Sequence, residues 1–138
     1  VIISDQHATP EQQERKHVYV INGSAEFLDI IRQLLQDEQY NVTTTNFVPR
    51  SFDAIAGAQP DLLVIDLVYG DRVGWNLLAD LHGQAKTQDL PILLVSTVPS
   101  LLDDAKGQHE SFGGDRYLTK PFNLDQFLTI IEEMIGTA

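Results

Sequence analysis

The chain has 138 residues, no cysteine, 43% apolar and 21% charged residues, and a formal net charge of −11. That length suits one domain, the composition argues against global disorder, and the lack of Cys rules out disulfides and thiolate chemistry. With 20 acidic against 9 basic residues the surface repels phosphate backbones and anionic membranes, so no direct nucleic-acid or membrane binding is expected.

No apolar run approaches the ~20 residues needed to span a bilayer, and no signal-peptide pattern is present, so a cytoplasmic location is expected. The first residue is Val1 rather than Met, which reads as a chain processed or excised from a longer protein. The sequons Asn22-Gly23-Ser24 and Asn41-Val42-Thr43 read as chance without a secretory signal.

Residues 1–16 are polar, with no trusted period, and read as a tail or linker; Thr9 and Pro10 could start a short helix there. From residue 17 strands and helices alternate. Val18–Ile21 is a short β-branched run and predicts the first strand. Ser24 caps a helix whose apolar stripe is Phe27, Ile30, Ile31, Leu34 and Leu35. Val42–Thr45 predicts the second strand. Pro49 opens a second helix that carries Phe52 and Ile55 and ends near Gly57.

Leu62–Ile65 is the third strand. Trp75, Leu77, Leu78 and Leu81 mark the third helix, ending near Gly83. Ile92–Val95 is the fourth strand, and Pro99 begins a fourth helix with Leu101, Leu102 and Ala105 that ends before Ser111. Gly107 and the pair Gly113-Gly114 imply a flexible loop after it. The fifth strand lies near Arg116–Thr119. Asn123 caps the last helix, with Gln126 as its capping-box partner and Phe127, Ile130, Ile131, Met134 and Ile135 on its apolar side.

Strict alternation requires crossover connections, and crossovers require parallel strands. The first, third and fourth strands are continuously apolar, as expected for strands buried on both faces, whereas the polar second strand belongs at an edge. The predicted fold is α/β: a flavodoxin-like, doubly wound, five-stranded parallel sheet of order 2-1-3-4-5 with helices on both faces. Ligands of such sheets bind at the carboxyl ends of the strands where the order reverses, here beside Asn22 and Asp66.

Three apolar runs end at that edge on reactive groups: Asp66, Ser96 and Lys120. Singly they read as a turn acid, a helix cap and a solvated lysine. Together, a carboxylate, a hydroxyl and an ammonium can accept and hold a phosphoryl group. No nucleophile–base pair or metal cluster stands out elsewhere, and His7, His17, His82 and His109 read as scattered surface residues. An enzyme is therefore not expected.

The stretches Pro60–Asp66, Gly74 with its helix, Leu90–Thr97 and Asp115–Phe122 resemble the response-regulator receiver domains of two-component signalling, and Lys120-Pro121-Phe122 is the most specific of them. The resemblance covers residues 17–138 and implies that Asp66 is the phosphoacceptor, attacking the phosphohistidine of a sensor histidine kinase or phosphotransfer protein. It implies that Ser96 and Lys120 hold phosphoryl oxygens, that Tyr117 is the switch aromatic, and that a cis peptide precedes Pro121. It places protein partners on the face formed by the fourth helix, fifth strand and fifth helix.

The resemblance also implies Mg²⁺, held by the acceptor Asp, two adjacent acids after the first strand and a loop carbonyl. Here the acid positions are Asn22 and Gly23, leaving Asp66, an Asn22 amide oxygen and the Val68 carbonyl as a weak metal set. Mg²⁺ binding is accordingly expected to be weak or absent, phosphorylation slow or absent, and an Asp66–Lys120 ion pair to stand at rest. The loop after Asp66 departs further, with Gly70 in place of a proline and Val73 in place of an acid. Two other readings stay open: a phosphorylation-independent interaction module, and a flavin- or nucleotide-binding enzyme on the same fold. The second has only one helix-opening glycine, Gly23, in its favour.

Overall fold

The computed structural model describes residues 15–46, 51–66, 72–98, 100, 102–103, 115–120 and 122–136. In chain order these form β1 (His17–Ile21), α1 (Ala25–Asp37), β2 (Asn41–Thr45), α2 (Ser51–Ala58), β3 (Leu62–Asp66), α3 (Arg72–Gly83), β4 (Ile92–Ser96), β5 (Arg116–Thr119) and α4 (Leu124–Ile135). Ser100, Leu102 and Asp103 are helical and belong to the predicted fourth helix. Pro49, Val68, Gly70, Pro99, Leu101, Ala105, the loop glycines 107, 113 and 114, Pro121, His7, His109 and residues 1–14 lie outside the described residues, and with them the readings made there.

All strand pairs are parallel and the order is β2-β1-β3-β4-β5, the predicted topology. The cause is visible in the period-2 alternation of the strands. Val18, Val20, Leu62, Val64, Leu93, Val95 and Leu118 face one way, onto α1 and α4 through Leu28, Ile31, Leu35, Phe127 and Ile131. Tyr19, Ile21, Leu63, Ile65, Ile92 and Leu94 face the other way, onto α2 and α3 through Ile55, Leu77, Leu78 and Leu81. Strands with both faces covered read as unbroken apolar runs. β2, half-buried along its whole length, has one neighbouring strand among the described residues, β1.

The caps act as their residue types predict. Ser24 Oγ accepts the Phe27 N–H at 3.2 Å and Asn123 Oδ1 the Gln126 N–H at 2.6 Å. Two helix C-termini close on left-handed glutamines. α2 ends at Ala58, next to Gly57 as predicted, and the left-handed residue after it is Gln59, at φ 49°. α1 is closed by Gln39, two residues past Asp37 and at φ 72°, with Gln39 N–H donating to Gln36 C=O and Tyr40 N–H to Leu35 C=O. That pair of bonds is a Schellman closure, with glutamine where glycine is usual.

One correction concerns the α1 stripe. The residues that reach the sheet are Leu28, Ile31 and Leu35, while Ile30 is 51% exposed. One residue is ~100° of rotation, so Phe27, Ile30 and Leu34 lie on a flank of the stripe instead of at its centre. Ile30 sits beside Leu124, the other exposed large apolar side chain among the described residues. His17 is also less peripheral than its scatter suggests. It is half-buried, its Nε2 lies 2.8 Å from Thr43 Oγ1, and desolvation holds its pKa below the usual imidazole value although Asp61 pulls the other way.

Candidate functional site

The carboxyl edge of the sheet is assembled by register. Ile21 pairs with Ile65, so Asn22 stands beside Asp66, and the Asn22 N–H continues the ladder by donating to Thr45 C=O at 3.1 Å. Asp66 pairs with Val95 and Ser96 with Thr119, which brings Lys120 to the same edge; its N–H donates to Ser96 C=O at 2.8 Å. Alternation then sorts the side chains. Asp66 shares its face with Val64, the α1 side, whereas Ser96 and Tyr117 share the α2–α3 side.

Asp66 and Lys120 meet. Lys120 Nζ lies 3.4 Å from Asp66 Oδ2, and the two side chains are only 16% and 14% exposed. β5 is two strands away from β3, about 9–10 Å at the usual strand spacing, so the lysine needs its whole four-carbon stem to cross the end of β4. Burial pushes the Asp66 pKa up from the ordinary carboxylate value, and the Lys120 charge and hydrogen bond partly offset this.

The ammonium has a second neighbour that sequence reasoning placed only in the core. Lys120 Nζ sits over the Phe27 ring, 4.3 Å from its centroid, a distance at which the ring face attracts a cation. Phe27 meets Phe122 edge-on at 6.0 Å, and Phe122 stacks on Phe127 at 5.4 Å. The lysine is thus held between a carboxylate and an aromatic wedge anchored in the core. The available signal was positional: an aromatic in the first turn of the helix that opens at the site edge.

Ser96 is fully buried. Its Oγ accepts the Val98 N–H at 3.1 Å, which orients the hydroxyl at the end of β4. Tyr117, on the neighbouring strand opposite Leu94, is partly buried against the α2–α3 cluster. The carboxylate and ammonium are therefore in contact, and the hydroxyl and the aromatic ring lie on the opposite face of the same edge.

Asn22 is 3% exposed. Its Oδ1 accepts the Ser24 N–H at 2.9 Å, closing the turn into α1. Its Nδ2 is buried with no hydrogen-bond partner among the described residues. Gly23 brings no ligand, and one oxygen of Asp66 is already engaged by Lys120. Among the described residues no group of three or more His, Cys, Asp or Glu could hold a metal. The donor set present here does not fit the Mg²⁺ that the resemblance implies.

An open parallel sheet of order 2-1-3-4-5 with its polar groups at the carboxyl edge defines a flavodoxin-like module of the kind used by chemotaxis and phosphorelay receivers. Solved structures agree on the fold: chemotaxis response regulator CheY4 of Vibrio cholerae (21% identity, TM-score 0.75, covering 87% of this chain and 98% of that one) and a CheY-like receiver domain protein of Methanospirillum hungatei JF-1 (22%, 0.76, 88% and 94%). The family model for the response regulator receiver domain matches residues 18–132. Cell cycle response regulators CtrA of Brucella ovis and Brucella abortus are 29% identical over 119 residues, covering 86% of this chain and 49% of theirs, so the chain spans about half the length of these relatives. The chain belongs to the response-regulator receiver domain family and is a receiver domain of two-component signalling. No helix among the described residues is long and apolar enough to cross a membrane.

Proposed function

We propose that Asp66 is the phosphoacceptor of this receiver and that it works with little or no help from a divalent cation. The observation that carries the reading is the Asp66–Lys120 pair, 3.4 Å apart and mostly buried at the sheet's carboxyl edge. Asp66 Oδ attacks the phosphorus of a phosphohistidine, the P–N bond breaks, and the imidazole leaves with a proton from solvent. Lys120 then pairs with a phosphoryl oxygen, and Ser96 reorients toward another. Tyr117, on the Ser96 face, follows the hydroxyl and acts as the switch.

The donor is a sensor histidine kinase or a phosphotransfer protein, and the output surface is the face formed by the predicted fourth helix, β5 and α4. Residues 17–138 are the receiver and 1–16 a tail or linker, in a cytoplasmic signalling module that is not itself an enzyme. Mg²⁺ contributes weakly or not at all, because neither Asn22 nor Gly23 presents a carboxylate.

Incubation with a small acyl phosphate, followed by intact mass, tests this. Slow addition of one phosphoryl group, absent in Asp66→Ala, is expected. Rapid stoichiometric modification only with Mg²⁺ would refute the weak-cation part. No addition at all would favour a phosphorylation-independent interaction module.

A further inference from the structure

Asn22 reverses the polarity of the position it occupies. The Ser24 N–H binds one end of its side-chain amide at 2.9 Å, and only the oxygen can accept that bond. The other end is therefore the NH₂ group. It is buried, unpartnered, and sits at the register position beside Asp66. A buried donor of this kind calls for an acceptor. For a cation the side chain offers only a neutral oxygen that already accepts the Ser24 N–H, a poor substitute for a carboxylate.

Three further features point the same way. Lys120, paired with Asp66, brings an ammonium to the same side of the edge, 4.3 Å over the Phe27 ring. α1 has 13 residues and directs its amino end to this edge, and such an end favours anions. Gly23 adds no carboxylate, and a Cβ there would meet nothing within 4 Å, so no packing demand explains the missing acid.

We propose that this edge is a metal-independent oxyanion site, in which a tetrahedral phosphate group is held between Asn22 Nδ2, Lys120 Nζ and the amino end of α1. The inference rests on the receiver reading for the choice of phosphate as the anion. The phosphate has two sources, the phosphoryl group on Asp66 or free orthophosphate. Asn22 takes the place of the cation by donating hydrogen bonds to the oxygens, and the Lys120 ammonium supplies the positive charge.

The test is a titration of the whole 138-residue chain with orthophosphate in excess chelator, following the side-chain amide resonances of Asn22 by ¹⁵N NMR. Saturable movement of the Asn22 NH₂ pair, unchanged on adding Mg²⁺, is expected. Asp66→Asn should bind more tightly, since a like charge beside the anion is gone. Asn22→Asp keeps the oxygen that caps the turn and loses the donor; it should bind at least about tenfold more weakly in chelator, the loss of one charge-assisted hydrogen bond, and recover binding with Mg²⁺.

No saturation in either the native chain or Asp66→Asn would overturn the proposal. So would equal binding by Asn22→Asp in chelator, or native binding that requires Mg²⁺. The separate acyl phosphate incubation keeps the two claims apart. Orthophosphate binding without covalent modification removes only the phosphoacceptor, and the reverse result removes only the metal-free site.

Discussion

Replacing Lys120 with methionine tests the electrostatics of the site. Methionine keeps most of the stem and can still touch the Phe27 ring, so the change removes mainly the charge. At 3.4 Å and an effective dielectric near 20, the direct attraction is about 5 kcal/mol, much of it offset by desolvation of both partners. Exposed pairs contribute about 0–1 kcal/mol, whereas removing one partner of a fully buried pair costs about 3–5. With side chains 16% and 14% exposed, the loss should be about 2 kcal/mol at pH 8.

The loss should also depend on pH, with a definite sign. Burial sets the Asp66 pKa above its unfolded value, and Lys120 draws it down. A carboxyl raised in this way contributes stability below its unfolded pKa and loses it as pH climbs through the folded pKa. Without Lys120 the folded pKa moves higher still. Lys120→Met should therefore cost little on the acid side of the carboxylate range and increasingly more toward neutral pH.

Urea unfolding followed by Trp75, which is half-buried in α3, can be run at pH 5 and pH 8 on the native chain, Lys120→Met, Asp66→Asn and the double variant. A loss from Lys120→Met that is equal at the two pH values, or a coupling near zero in the cycle at pH 8, would refute the reasoning.

Phe27→Leu should cost about 1 kcal/mol through the lost ring–cation and ring–ring contacts, and the loosened lysine should let the Asp66 midpoint rise, as read by carboxyl ¹³C NMR. Ile31→Ala should cost about 2–5 kcal/mol, but Ile30→Ser should stay within about 0.5; similar losses in urea melts would show that the stripe was assigned wrongly. Gln39→Gly should stabilise by about 0.5–1 kcal/mol, because glycine adopts φ 72° without the cost an L side chain bears there. A Tm that falls on that change would contradict the backbone account.

The fold was legible because each central strand is an uninterrupted apolar run of near-observed length, and because Ser24 and Asn123 announce their helices. Helix ends were less so: Gln39 and Gln59 hold left-handed conformations that glycine usually marks. The α1 stripe is ambiguous in the sequence because six apolar residues from Phe27 to Leu35 support two neighbouring faces, and only packing into the core chooses Leu28, Ile31 and Leu35. At the site, Asp66, Ser96 and Lys120 could be grouped from strand ends alone. The Phe27 ring over Lys120 could not, since it depends on the angle at which α1 crosses the sheet. Nor could the orientation of the Asn22 amide, which one bond from the Ser24 N–H decides.

The central claim is that Asp66 accepts a phosphoryl group at a site that uses Lys120 where a cation would otherwise stand. Intact mass after incubation with a small acyl phosphate, in parallel with chelator and with Mg²⁺, tests it most directly. Slow addition of one phosphoryl group at similar rates in both conditions, lost in Asp66→Ala and strongly reduced in Lys120→Met, is the predicted result. Addition that occurs only with Mg²⁺, or that survives in Asp66→Ala, would contradict it.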